Sequence, residues 1–232
     1  MEKRKDSSPV LSRRKLFKGP APLKKLSDDE VTRAIRLLRK QFPDIDGLQD
    51  PCEGEQTAEG VVNLNVNKSH QDTVQIIYDR DRDHWVTVAM PKLLKNGTSK
   101  VALFDSLARP PDVEMSDALA VKVATMGNEK GSHITVLHVP SQQQNDDISC
   151  GYFAISNALT FCLSRKIKAV LNHKKGEMAS HLEDCFRKGK LTPFPKDKNL
   201  YRSPDQNTRK EVLSVYCDCR LLEAHDRHTI EC

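Results

Sequence analysis

Gln142-Gln143-Gln144-Asn145-Asp146-Asp147-Ile148-Ser149-Cys150-Gly151-Tyr152-Phe153-Ala154-Ile155-Ser156-Asn157-Ala158-Leu159 passes from a polar loop into an apolar run. Cys150 stands at the changeover, and the spacing predicts a helix over about 150–164 that opens on its thiol. At that address the sulfur meets the positive end of the helix dipole and unpaired backbone N–H groups. Both favour thiolate over thiol, and the thiolate is the nucleophile. Six residues upstream, Gln144 offers a side-chain amide to the same neighbourhood, with Gln143 as the alternative.

Outward from this stretch, two groups complete a nucleophile's needs. His84-Trp85-Val86-Thr87-Val88-Ala89 is rich in β-branched and aromatic residues and predicts a strand, and Val101-Ala102-Leu103-Phe104 predicts its return after the turn Lys95-Asn96-Gly97-Thr98. In an antiparallel pair, His84 at the start of one strand and Asp105 at the end of the other share a sheet edge. The imidazole then accepts the thiol proton, and the carboxylate fixes its tautomer. Each residue alone also fits a bland role: an edge histidine, a turn aspartate, a packed thiol such as Cys162 or Cys185. Their order and chemistry together favour a cysteine hydrolase.

The remaining elements surround this core. Ser27 with Glu30 is a capping-box pair, and Val31, Ile35, Leu38 and Phe42 predict a helix over about 28–42, stopped by Pro43. A turn-rich connection, 44–51, follows. Val74–Tyr78 and Ile134–Val139 predict further strands, and helices are expected near 114–127 and 176–188. The order helix, strands, helix, strand, helix predicts an α+β domain with a small mixed sheet packed between helices.

These residues resemble a known family. His84-Trp85, Asp105-Ser106, and Gln144 before Cys150-Gly151 are similar to the signature of the ubiquitin-like-protein-specific cysteine proteases, the sentrin/SUMO protease type related to the adenoviral protease. Leu26–Val31 with Leu37-Leu38 and Gln41-Phe42-Pro43 resembles the opening helix of the variants in transposon-associated reading frames. Met178, His181-Leu182, Cys185 and Pro193-Phe194-Pro195 resemble the domain's end. The resemblance spans about 26–197. It implies a papain-like cysteine protease fold in the circularly permuted order His-Asp-Gln-Cys. It further implies His84 as general base, Asp105 as its orienter, Cys150 as nucleophile, Gln144 (or Gln143) as oxyanion donor, and Trp85 beside the substrate tail. The implied activity is peptidase or isopeptidase cleavage after the diglycine tail of a ubiquitin-like modifier, such as deSUMOylation, with no metal and no cofactor. Ser149 stands where that family usually has Asp. The His–Asp separation of 21 residues exceeds the usual spacing, consistent with an extended hairpin through 92–100. A catalytically idle module that holds a modifier or partner, from a mobile-element protein, is the rival expectation.

Composition frames the rest. The 232 residues and net charge of +5 suit one domain with tails, expected as a basic disordered tail 1–25, a protease domain 26–200 and a C-terminal segment 201–232. Residues 1–25 hold nine Lys or Arg, in clusters that fit a nuclear-import signal, a weak nucleic-acid contact or a solvated tail. Seven cysteines without a dense framework, and no apolar span, predict an intracellular protein, nuclear if the basic clusters act as an address, with no membrane partner. Tyr216-Cys217-Asp218-Cys219 and Cys232, with His225 and His228, resemble a truncated PHD-like zinc finger. A frayed tail with unpaired thiols, or a truncated gene product, fits them better, since the later zinc ligands are missing.

Overall fold

The computed structural model describes residues 21–51, 71–92, 100–107, 113–126, 133–168, 172–197 and 209–214. The basic clusters before residue 21, the turn 95–98 and the C-terminal cysteines and histidines lie outside them. Helix α1, Asp28–Gln41, begins at the capping box: the Ser27 hydroxyl accepts from the Glu30 N–H, and the Glu30 carboxylate accepts from the Ser27 N–H. Its stripe Val31, Ala34, Ile35 and Leu38 is buried, as the helical spacing requires.

One six-stranded sheet follows in chain order: β1 Asp46–Gly47, β2 Thr73–Asp79, β3 His84–Met90, β4 Lys100–Phe104, β5 His133–Val139 and β6 Arg209–Ser214. β2, β3 and β4 are antiparallel neighbours, β1 lies parallel to β2, and β4 to β5 is parallel, with helix α2, Asp117–Met126, in the crossover. The sheet is therefore mixed. It draws β6 from the segment that the sequence reading set apart after residue 200, and β1 from the expected turn-rich connection 44–51. Gly47 makes that short pairing possible: its φ is 81°, and a Cβ there would lie 2.3 Å from the Val74 carbonyl oxygen.

Strand alternation sends side chains into two cores. Val74, Ile76, Trp85, Ala89, Ala102 and Phe104 face helices α1, α3 (Cys150–Ser164) and α4 (Lys175–Lys188). Ile77, Val86, Val88, Val101 and Leu103 face α2. Burial on both faces explains why these strands read as nearly continuous apolar runs. Helix α3 is buried from Cys150 through Leu159 and again at Phe161 and Cys162, so its apolar character runs all round rather than along one stripe. Packing α3 directly against β3 is what brings a helix N-terminus to the strand that starts with His84, and the Thr87 hydroxyl locks the pair by donating to the Ala154 carbonyl at 2.7 Å.

Candidate active site

The edge geometry expected from the hairpin is present. His84 and Asp105, at the ends of β3 and β4, are both buried, and the imidazole Nε2 lies 2.8 Å from Asp105 Oδ1. Nδ1 is then the ring nitrogen left for the Cys150 thiol, to which His84 is hydrogen-bonded. Burial opposes charging of the imidazole, but the Asp105 carboxylate and the Cys150 sulfur outweigh it and raise its pKa. Burial likewise opposes the Cys150 thiolate. The His84 bond and the backbone N–H groups of Trp85 and Gly151, which donate to the sulfur, reverse that and lower its pKa. Burial alone would raise Asp105 too, but His84, Arg82 and the Leu107 N–H hold it below the usual carboxylate range. Both shifts, Cys150 down and His84 up, run toward a thiolate–imidazolium pair.

The loop before Cys150 is tied to the same strand end. Gln144 is buried. Its backbone N–H donates to the Ser106 carbonyl at 2.7 Å, and its Oε1 accepts from the Ser106 hydroxyl at 2.8 Å. This fixes the amide's direction, so that Nε2 donates to the Asp146 carbonyl at 2.6 Å with one of its two hydrogens. Gln143 is exposed, and its Nε2 donates to the Asp105 and Ser141 carbonyls at 3.2 and 2.9 Å. Adjacent residues thus serve different partners: Asp105 orients the base, and Ser106 orients Gln144.

Ser149, where an acidic residue was expected from the resemblance, is the N-cap of α3 and fully buried. The carboxylate comes instead from Asp146: its Oδ1 accepts from the Ser149 hydroxyl at 2.6 Å and from the Ser149 and Ile148 N–H groups at 2.8 and 3.0 Å. Its Oδ2 pairs with Lys175 at 2.7 Å. Burial works against this charge, yet Lys175 and the Ser149 bonds drive the Asp146 pKa far below the carboxylate range. On the other side, Leu26 packs on the first turn of α3, where a Cβ at position 151 would meet its side chain at 3.1 Å; glycine lets it approach.

Trp85 is buried, its ring 4.9 Å from that of Tyr78 across the β2–β3 ladder. The Tyr78 hydroxyl donates to Asp83, whose other carboxylate oxygen pairs with Lys25. That bond to Asp83, with burial, pushes the Tyr78 phenol up to about 12. Tyr78, Arg82, Asp83, Asp146 and Lys175 were missed as site residues. The alternating run Asp79-Arg80-Asp81-Arg82-Asp83 reads as a solvated turn, and only its position next to His84 hints otherwise. Among the described residues no three His, Cys, Asp or Glu side chains gather as metal ligands.

A protein-family model described as YopJ serine/threonine acetyltransferase matches residues 48–206, well over half of the chain. The chain belongs to the YopJ serine/threonine acetyltransferase family. This YopJ-family chain is also similar to solved structures of a cysteine protease. One is SUMO protease Ulp1 with its catalytic cysteine oxidised to a sulfenic acid: TM-score 0.52, 18% identity, covering 72% of this chain and 78% of that one. The sulfonic acid form matches at TM-score 0.51 and 17% identity, covering 70% and 77%. Xanthomonas campestris effector protein XopD bound to ubiquitin matches at TM-score 0.48 and 13% identity, over 81% and 93%. A search of curated proteins gives no match. The Ulp1 likeness bears out the papain-like α+β fold inferred from the sequence, while the YopJ match leaves the reaction at the level of an enzyme fold shared by proteases and acetyltransferases.

Proposed function

We propose that the protein is a thiol-dependent acyl-transfer enzyme that acts as a peptidase or isopeptidase on the slim C-terminal tail of a ubiquitin-like modifier. The observation that carries this reading is the Cys150–His84–Asp105 relay, with two backbone N–H groups already at the sulfur. The Cys150 thiolate attacks the scissile carbonyl carbon, and the oxyanion takes the second Nε2–H of Gln144. Imidazolium Nδ1–H gives its proton to the departing amine as the C–N bond breaks, leaving a thioester on Cys150. Water then attacks the thioester as His84 accepts its proton, and the C–S bond breaks to release the carboxylic acid and restore the Cys150 thiolate beside the His84 imidazolium. The half-buried Tyr78, packed on the buried Trp85, offers an aromatic surface that suits a narrow, small-residue tail. The thiol chemistry fits a reducing intracellular compartment.

The family match supports a second reading, in which the same thioester carries an acetyl group and a serine or threonine hydroxyl replaces water as the acceptor. A single experiment separates the two. The protein is offered a panel of ubiquitin-like proteins with C-terminal electrophiles and, in parallel, an acetyl donor with hydroxyl-bearing peptides, with the Cys150→Ala variant as control. Cys150-dependent modifier adducts support the peptidase; Cys150-dependent acetyl transfer without adducts supports the acetyltransferase. Tight modifier binding with no Cys150 chemistry at neutral pH would leave only an idle binding module.

A further inference from the structure

Asp105 uses both carboxylate oxygens, and only one of them serves His84. Oδ1 accepts from His84 Nε2 and from the Leu107 N–H, each at 2.8 Å. Oδ2 accepts from Arg82 Nη2 at 2.6 Å. The same guanidinium spends its other donors nearby: Nε on Asp79 Oδ2 at 2.8 Å, and Nη1 on the Leu107 carbonyl at 2.8 Å. Arg82 ends a short 3-10 turn, Arg80–Arg82, so its backbone is held two residues before His84. Asp79, the registered partner of His84 across the β2–β3 ladder, is itself fixed by the Ser116 hydroxyl at 3.2 Å. One planar fork therefore ties the end of β2, the end of β4 and the loop after β4 into a frame around the imidazole.

We propose that Arg82 is a positioning residue of the catalytic relay, whose fork holds Asp105 Oδ2 so that Oδ1 stays in line with His84 Nε2. Without it, the carboxylate can turn about its own axis, and the buried Asp105 side chain loses a charged partner. The inference rests on the Cys150–His84–Asp105 reading of the site but not on the identity of the substrate.

Two effects of Arg82 have opposite signs, which makes the role testable. As a bare cation, Arg82 disfavours the imidazolium, and its removal would raise the His84 pKa. As a positioning residue it secures the imidazolium's carboxylate, and its removal lowers that pKa. The charged and titratable groups facing His84 are Asp79 and Asp83 from the β2–β3 connection, Arg82, Asp105 from β4 and Cys150 from α3.

The test is the rate of iodoacetamide alkylation of Cys150 against pH, in the full chain and in Arg82→Met, with folding checked by circular dichroism. The unsubstituted protein should show a plateau bounded below by thiolate formation and above by loss of the imidazolium. In Arg82→Met the upper limb should move down by about one pH unit, the scale of one carboxylate's effect on a neighbouring charge. An upper limb that stays or moves up in folded protein overturns the inference. If Arg82→Met does not fold, Arg82→Lys decides, because it keeps the charge and loses the fork: a lowered limb supports positioning, and the unsubstituted profile refutes it. Absence of any plateau in the unsubstituted protein sinks the catalytic reading itself, and the inference with it. A plateau that Arg82 does not influence sinks only the inference.

Discussion

Cys150 and Cys162 lie at opposite ends of helix α3, and each is 1% exposed, yet their thiols behave oppositely. Burial pushes Cys162 up to about 12, with Arg165 offering too little relief, whereas His84 and two backbone N–H groups bring Cys150 below the ordinary thiol value despite its burial. Equal exposure with opposite outcomes shows that partners, more than depth, make a reactive thiol. The helix contributes through its polarity: Cys150 sits at the end where N–H groups are unpaired, and Cys162 near the end where carbonyls are.

The largest effect should come from deleting each thiol in turn. At neutral pH a thiol titrating near 12 is ionised only on the order of one part in 10⁵, so Cys162 should escape alkylation while Cys150 is labelled. Peptide mapping of the folded protein by mass spectrometry should therefore find the iodoacetamide adduct at Cys150 and none at Cys162, with the Cys150→Ala and Cys162→Ala variants assigning the two peptides. Labelling of Cys162 as fast as Cys150 would erase the contrast.

Next in size is the attempt to turn Cys150 into a second Cys162 by removing its partners. His84→Ala removes the imidazolium, and Asp105→Asn leaves the ring but favours the wrong tautomer. Turnover should fall on the order of 10²–10⁴-fold for Asp105→Asn, with at least as large a loss for His84→Ala. The signs of the pKa shifts set the window. The lowered Cys150 pKa keeps the thiolate down to below the ordinary thiol range, and the raised His84 pKa keeps the imidazolium above its ordinary value. The thiolate's contribution to stability is lost as pH falls through the lowered Cys150 value, and the imidazolium's as pH rises through the raised His84 value.

The same contrast explains which parts of the molecule were legible in the sequence. Cys150, His84 and Asp105 were readable because each sits where a periodic segment meets a break, and their side chains are ones whose chemistry is specific. Helix α1 announced itself through the Ser27–Glu30 box. Arg82 and Asp146 were not readable, because charged residues in a polar turn look alike whether solvated or aimed inward. Only the tertiary placement of the β4 end and of Lys175 distinguishes them. Strand β6 was hidden for a related reason: Arg209-Lys210-Glu211-Val212-Leu213-Ser214 lacks an apolar run, since an edge strand buries little, and here Leu213 reaches the core while Val212 is exposed. Its attachment comes from pairing with β5 and from the Glu211 carboxylate, which takes His138 Nε2 at 2.8 Å.

Among the described residues two histidines, His84 and His173, are buried, and they repeat the lesson of the two thiols at a smaller scale. His173 is as deep as His84, but its Nδ1 has no partner and its Nε2 meets only the Ser156 hydroxyl at 3.1 Å. Burial, helped by Lys196, pushes its pKa down to about 4. The unfolded chain binds a proton there near 6.5 and the folded chain does not, so stability falls as pH drops from about 6.5 to 4 and this loss stops below the folded value. A shift of that size corresponds to about 3 kcal/mol, and His173→Phe should remove most of this acid-side slope in urea unfolding measured at several pH values. An unchanged slope would mean that the imidazole finds a proton acceptor on folding.

The smallest effect separates the thiols by their tolerance of a hydroxyl. In Cys150→Ser the new hydroxyl inherits the His84 ring and the N–H groups of Trp85 and Gly151, so it is not left unpaired, and only the thiolate's share of stability is lost with the nucleophile. In Cys162→Ser the hydroxyl enters the apolar core among α1, α3 and α4 and should cost about 1–2 kcal/mol. Urea midpoints of the two variants, compared with the unsubstituted chain, give the difference directly. Equal midpoints would show that the C-terminal end of α3 also supplies a polar partner. The thiolate at Cys150 would then depend on His84 alone rather than on which end of the helix the sulfur occupies.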